Sequence, residues 1–228
     1  MPYKSRWSVP IPDCSLPTFL FGSASNTEPS SLANKQCYID AQSPEKYFLT
    51  RSSFKLWSQR FGLGLTNLSG FAPGDRVLVF SGNNLAFPIA FMGVLMAGGI
   101  FTAANPSFVG RELANQLKDS GAAHLLVTEA ALDTALEAAK LVGLSTDRIR
   151  YFDADALFEK GGMEKTEQKG VKYWASIFAD ESEARNYQWP ELKGKLTDLL
   201  FISAFSSTFT TTEQFWDQHD YPSLGAAL

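Results

Sequence analysis

Residues 201–216 read FISAFSSTFTTTEQFW, a run of hydroxyls set between aromatic residues. Hydroxyls following an apolar stretch can hydrogen-bond phosphate oxygens, and the chemistry such a loop serves is nucleotide binding. A phosphate-gripping loop works because glycines let backbone N–H groups approach the phosphates and a lysine supplies positive charge. Here no glycine occurs between Gly194 and Gly225, and no lysine follows Lys195. The competing reading of Ser206 to Thr212 is an exposed Ser/Thr-rich strand or tail.

Other residues that could do chemistry are scattered. The turn SGNN, Ser81 to Asn84, lies between a strand-like and a helix-like stretch, where an anion could meet a helix N-terminus or Asn84 could cap the helix. The cap is preferred, because no GxGxxG is present. His124 begins a strand-like stretch and His219 lies near the end, and a lone histidine is more often structural than catalytic. Asp153 and Asp155 stand two apart in a polar segment without further oxygen ligands spaced for a cation, so they read as solvated carboxylates. Arg111 and Glu112 read as helix surface. Cys14 and Cys37 belong to no CxxC or Cys/His cluster, and they read as thiols in a reducing compartment or as one disulfide. No Ser/His/Asp or Cys/His set emerges.

The elements that must position these residues belong to a chain of 228 residues with 45% hydrophobic, 19% charged and 13% aromatic content, enough for one large α/β domain or a domain and a half. The net charge of −4 and the lack of a basic run argue against nucleic acid as a partner. The proline-broken N-terminus is not a secretory signal. The apolar run Leu85 to Thr102 is interrupted by Pro88, Gly93, Gly98 and Gly99, so a buried helix followed by a strand is expected rather than a membrane span. The final GAAL is not a peroxisomal address, and a cytoplasmic location is expected.

From Ser52, SSFKLWSQRFGLGL places Phe54, Trp57, Phe61 and Leu65 at helical spacing, with serines able to cap the first turn and Gly62 and Gly64 weakening the helix. RVLVFSG reads as a buried strand. Asn84 can cap the helix LAFPIAFMGVLMAG, with Pro88 in its first turn. A strand follows around Gly99 to Ala103, then RELANQLKDSG, a helix with Leu113, Ala114 and Leu117 on its apolar face. His124 to Thr128 is a strand. ALDTALEAAKLVG is a helix facing inward through Leu132, Ala135, Leu136, Ala139 and Val142, and Arg148 to Phe152 is another strand. Asp153 to Gly170 reads as a polar linker or surface excursion, and WASIFADESEARNYQW as a weak helix. The alternation predicts an α/β fold with a doubly wound, mostly parallel sheet and flanking helices. Three segments are expected: an extended arm (1–50), the α/β subdomain (51–200) and a divergent tail (201–228).

The stretch GDRVLVFSGNNLAFPIAFMGVLMAGGIFTAANPSFVGRELANQLKDSGAAHLLVTE resembles the first subdomain of adenylate-forming acyl- and aryl-CoA ligases of the AMP-binding superfamily. Within them it is similar to the fungal 4-coumarate:CoA-ligase-like branch. The ordered set carries the likeness: GDRV before a strand, the SGNN turn, a glycine-rich apolar helix, an NP turn, then ELANQLKDSGA. It extends from about Met1 to near Trp189.

The resemblance implies an enzyme that adenylates a carboxylic acid with Mg-ATP and transfers the acyl group to CoA. ATP, Mg and CoA are thus cofactors implied by the family alone. The family's phosphate loop has the form SSGTTGxPKG and falls just after residue 200. Ser206 and Ser207 match its two serines and form a degenerate phosphate-binding pair. Thr208 stands where the first glycine belongs, Phe209 follows, and Thr210 to Thr212 match the threonines only with one inserted residue. A β-branched residue resists positive φ, and losing glycines and lysine together removes most of the electrostatic grip. Poor nucleotide affinity is expected, with no catalytic residue and no metal ligand assigned. The adenine contacts, magnesium carboxylate and catalytic lysine have no corresponding positions. The expectation is therefore an N-terminal fragment, inactive alone, whose departure near Leu200 a frame shift or unspliced intron would explain. Two rivals stand beside it: a non-catalytic binding or interaction remnant, self-associating through an uncovered sheet edge, and a dinucleotide-binding oxidoreductase, which the missing GxGxxG opposes.

Overall fold

The computed structural model describes residues 14–22, 30–153, 155–159, 162–165, 167–190, 201–207 and 210–216, the last two segments by their backbone. Thr208, Phe209 and His219, and the side chains of Asp155, Ser206 and Ser207, lie outside the described residues. The elements run α1 (Leu16–Phe21), α2 (Ser30–Ala33), β1 (Gln36–Ile39), β2 (Phe48–Thr50), α3 (Arg51–Thr66), β3 (Arg76–Phe80), α4 (Ala86–Met96), β4 (Ile100–Ala104), α5 (Gly110–Ser120), β5 (His124–Thr128), α6 (Leu132–Val142), β6 (Ile149–Phe152), β7 (Glu167–Gln168), β8 (Val171–Tyr173), α7 (Glu181–Ala184), β9 (Phe201–Ser207) and β10 (Thr210–Trp216).

Eight strands form one sheet in the order β10, β9, β4, β3, β5, β6, β8, β7. The six inner strands are parallel, and β10 and β7 are antiparallel at the edges. β1 and β2 pair separately as an antiparallel ribbon. The expected α/β class and mostly parallel sheet are thus present. Central β3 reads RVLVF, with Val77 to Phe80 all buried, because a strand covered on both faces needs apolar residues throughout rather than alternation.

After β3 the chain moves outward to β4, then crosses back past β3 to β5 and β6. With right-handed crossovers this reversal puts α4 on one face and α5 and α6 on the other. Packing agrees, with α4 against α3 and α5 against α6. The carboxyl ends of β3 and β5 flank the reversal, the place where open α/β sheets accept ligands.

The glycines that read as weak points of α3 are its contact surface. A Cβ on Gly62 would lie 2.9 Å from the Gly93 carbonyl oxygen of α4, and one on Gly93 would lie 2.6 Å from Phe61 Cδ1. Helix propensity is given up so that two backbones can approach. The start of α3 is one residue earlier than the serine pair suggests. Thr50 Oγ1 accepts from the Ser53 N–H at 3.1 Å, and Ser53 Oγ accepts from the Thr50 N–H at 2.9 Å.

Two expectations need correction. WASIFADESEARNYQW is not one weak helix: Trp174–Ser176 is a single 3-10 turn after strand β8, and only Glu181–Ala184 is α-helical. Tertiary contacts decide this, since Trp174 is fully buried and stacks with Phe61, Phe152 and Phe178, while Phe178 also meets Trp57. Val142 does not face inward on α6; it is exposed, and Ala138 takes its place in the buried face with Leu132, Ala135 and Ala139. The described residues before Arg51 contain α1, α2 and the β1–β2 ribbon, with Phe21 and Leu49 buried.

Candidate functional site at the carboxyl edge of the sheet

The turn after β3 closes on itself. Asn84 Oδ1 accepts from the N–H groups of Ala86 at 3.0 Å and Phe87 at 3.1 Å, while Asn84 Nδ2 donates to Ser81 Oγ at 2.6 Å and the Gly82 carbonyl at 2.9 Å. The amides an anion would need at the start of α4 are taken by the chain's own carboxamide, and Pro88 in the same turn has none. The cap reading of SGNN therefore holds.

β9 carries Ser206 and Ser207 past the sheet. It pairs with β4 at Phe101↔Phe201 and Thr102↔Ile202, and β4 ends at Ala104, so Ser206 and Ser207 fall two and three residues beyond that end. At about 3.3 Å per residue this is roughly 7 and 10 Å. On its other side β9 pairs with β10 from Phe201↔Trp216 to Ser207↔Thr210, with Ser206 opposite Thr211. A phosphate nest needs successive N–H groups converging on one point, whereas strand N–H groups alternate between two sides. The two serines are brought to the carboxyl edge, but on a ladder rather than on a loop.

At the ends of β5 and β6 charge is paired internally. Lys165 Nζ donates to Glu129 Oε2 at 2.7 Å and Asp153 Oδ2 at 3.0 Å, and these bonds push its pKa up, keeping it charged. Asp153 is therefore ion-paired rather than simply solvated. Lys165 was not legible as a partner, because its segment reads as linker and nothing local announces a contact 36 residues away in sequence. Among the described residues, no group of three or more His, Cys, Asp or Glu is placed to hold a metal ion.

His124 sits at the other edge of the sheet. It is buried at the start of β5, with Nε2 at 3.1 Å from Arg148 Nη1 and 3.5 Å from Asp75 Oδ2, and its ring is tilted against Phe71. Burial, followed by the Arg148 charge, pushes its pKa below the ordinary histidine value, and Asp75 partly opposes this. It joins loops at the amino ends of the strands and faces no part of the carboxyl edge. Glu112 accepts from the Val109 N–H at 3.1 Å as a helix cap, and Arg111 is exposed. The apolar run from Leu85 to Thr102 folds into α4 and β4, and no helix among the described residues is long and apolar enough to cross a membrane.

Residues 28–202 match the AMP-binding enzyme family. Over 179 residues the chain is 28% identical to 4-coumarate–CoA ligase 1 of Petroselinum crispum, covering 78% of this chain and 29% of that protein. A phenylacetyl-CoA ligase of Aspergillus niger is 28% identical over 150 residues, 66% of this chain and 26% of its own length. An anthranilate CoA ligase solved with anthranoyl-AMP superposes with a TM-score of 0.71 at 17% identity, covering 96% of this chain and 37% of that one. The luciferase-like enzyme of the mealworm Zophobas morio gives 0.68 at 20% identity, covering 89% and 42%. At such identities the structural likeness concerns the fold. The chain spans less than a third of the length of the curated relatives it matches, at most 29% in these pairings. The family match takes in strands β1 through β8 and ends at the second residue of β9, and on that extent the chain belongs to the AMP-binding enzyme family.

Proposed function

We propose that these residues are the amino-terminal subdomain of an AMP-forming acyl- or aryl-CoA ligase, which joins a carboxylic acid to CoA with Mg-ATP. We place it in the fungal 4-coumarate:CoA-ligase-like branch, acting in the cytoplasm. The relatives named for 4-coumarate and phenylacetate, beside one named for long-chain fatty acids, support an aromatic or fatty acid as substrate class. The division into arm (1–50), subdomain (51–200) and divergent tail (201–228) belongs to the same reading.

The 228 residues alone are proposed not to adenylate. The observation that carries this is the segment at the phosphate-loop position: Ser206 and Ser207 are followed by no lysine and by no glycine before Gly225, and their backbone pairs with β10. A ladder fixes alternate N–H groups to its partner strand and leaves no converging set for a triphosphate. The outer strand β10 is the edge through which copies would associate, which size-exclusion chromatography reads directly.

The test is exchange of labelled pyrophosphate into ATP by the isolated chain, with 4-coumarate, phenylacetate, anthranilate and a long-chain fatty acid. No acid-dependent exchange is expected. Clear exchange with any of the four would overturn the inactive reading.

A further inference from the structure

Strands β4 and β9 pair over two positions, Phe101↔Phe201 and Thr102↔Ile202, although both strands continue beyond them. The direction of the β4 backbone groups follows from one bond. The Ile100 N–H donates to the Asp75 carbonyl at 2.9 Å, toward β3. Backbone groups of successive strand residues point to alternate sides, so Ile100, Thr102 and Ala104 face β3 while Phe101 and Ala103 face β9. The Ala103 carbonyl is therefore aimed at the position where the next β9 amide in register, that of Ala204, would donate.

That acceptor already has one donor. Gln116 Nε2, reaching down from the middle of α5, donates to the Ala103 carbonyl at 2.6 Å. Gln116 is only 5% exposed, and a carboxamide buried so far needs a partner inside the protein. The side chain thus bonds the same oxygen that the next strand amide would use.

We infer that Gln116 is a positioning residue that ends the β4–β9 ladder: by holding the Ala103 carbonyl from α5 it competes with the Ala204 N–H for that oxygen and biases the residue at which the chain leaves β4. What the departing segment serves, the phosphate-loop position, rests on the ligase reading; the geometry does not. Without the carboxamide, the Ala103 carbonyl takes the Ala204 amide, and the ladder lengthens toward Ser206 and Ser207.

Residue-resolved hydrogen exchange, without nucleotide, on the unaltered chain and on Gln116→Met tests this. Methionine keeps the length of the side chain and lacks the donor. The Ala204 amide is expected to exchange about fivefold more slowly in the variant, the effect of one added backbone hydrogen bond, with the amides of Leu78 and Val127 unchanged. A side chain that merely packs would leave Ala204 as fast or faster, and that outcome overturns the inference. Should Gln116→Met fail to fold, the unaltered protein decides. One Gln116 carboxamide proton must exchange more slowly than those of exposed Gln42, and equal rates refute the bond. ATP enters neither readout, so nucleotide binding by the isolated chain would sink the inactive reading and leave this inference standing, and the reverse holds equally.

Discussion

The turn after β3 and the segment at the end of β9 both leave a parallel strand at the carboxyl edge, and both carry polar side chains, yet they hold their backbone amides differently. After β3, Asn84 folds back and takes the first free amides of α4. In β9, the strand continues and β10 takes the backbone into a second ladder. On the reading proposed above, hydroxyls and amides at this edge would not by themselves make a phosphate site. What matters is whether the backbone N–H groups remain uncommitted and converge, and glycines with a nearby lysine are what allow it.

The largest effect should come from changing the β9 segment into the form it lacks. Replacing residues 206–215 with SSGTTGEPKG is expected to strengthen ATP binding on the order of 100-fold, the scale set by restoring aligned amides and a cation around anionic oxygens. Isothermal titration reads the gain, and backbone NMR reads loss of the Ser207↔Thr210 pairing. An unchanged affinity in a folded variant would mean that the missing glycines and lysine are not what limits binding.

The turn after β3 gives a smaller effect of a different kind. Asn84→Ala should cost about 1 kcal/mol by removing the cap, or about 2–4 °C in Tm for a domain of this size, while Asn84→Asp should retain most of it. Asn84→Gly frees the Ala86 amide and leaves Phe87 only its long 3.3 Å bond to the residue-84 carbonyl, so added sulfate should raise its Tm more than that of the parent chain. If sulfate raises both equally, the two regions differ less than the hydrogen bonds imply.

The β3 turn was legible in the sequence and the β9 segment only in part, for physical reasons. Asn84 acts on amides two and three residues away, so its role is local and sequence spacing reveals it. The strands β3 to β6 and helices α4 to α6 have apolar runs or helical periodicity of their own, which a single sequence displays. Trp174 and Phe178 were misread because their conformation follows from Phe61 and Trp57 on a distant helix. The same limit hid Gln116, whose partner is a backbone carbonyl 13 residues earlier, and Lys165, whose carboxylates come from two other strand ends. The lack of glycine from Phe201 to Trp216 is plain in the sequence, whereas the ladder joining Ser207 to Thr210 had no separate signal.

The amino edge supplies a control for both regions, because its polar group is titratable. Burial and Arg148 hold the folded pKa of His124 below the ordinary 6.5. Between those two values the unfolded chain binds the extra proton, so stability rises with pH there. The contribution of neutral His124 is complete above pH 6.5 and is lost as pH falls toward the lowered folded value. Urea unfolding at pH 5, 6, 7 and 8 should show a steeper decline below 6.5 for the parent chain than for His124→Gln. Parallel curves would mean that protonation costs nothing at this site, with Asp75 compensating burial and Arg148 together.

The smallest effect is expected where the carboxyl edge is closed by charge. Lys165, Glu129 and Asp153 are each about 38% exposed, and pairs that open to water contribute little. Lys165→Ala should lower stability by less than about 1 kcal/mol, with part of that loss arising because Glu129 and Asp153 then face each other without a cation. A double-mutant cycle of Lys165→Ala with Glu129→Gln separates attraction from this repulsion. The coupling should shrink toward zero in 0.5 M salt, since screening at that ionic strength acts over only a few ångströms, about 4 Å. A coupling that persisted in salt would mean that the edge at β5 and β6 excludes solvent, and the carboxyl edge would then divide into a closed half and the open half where β9 departs.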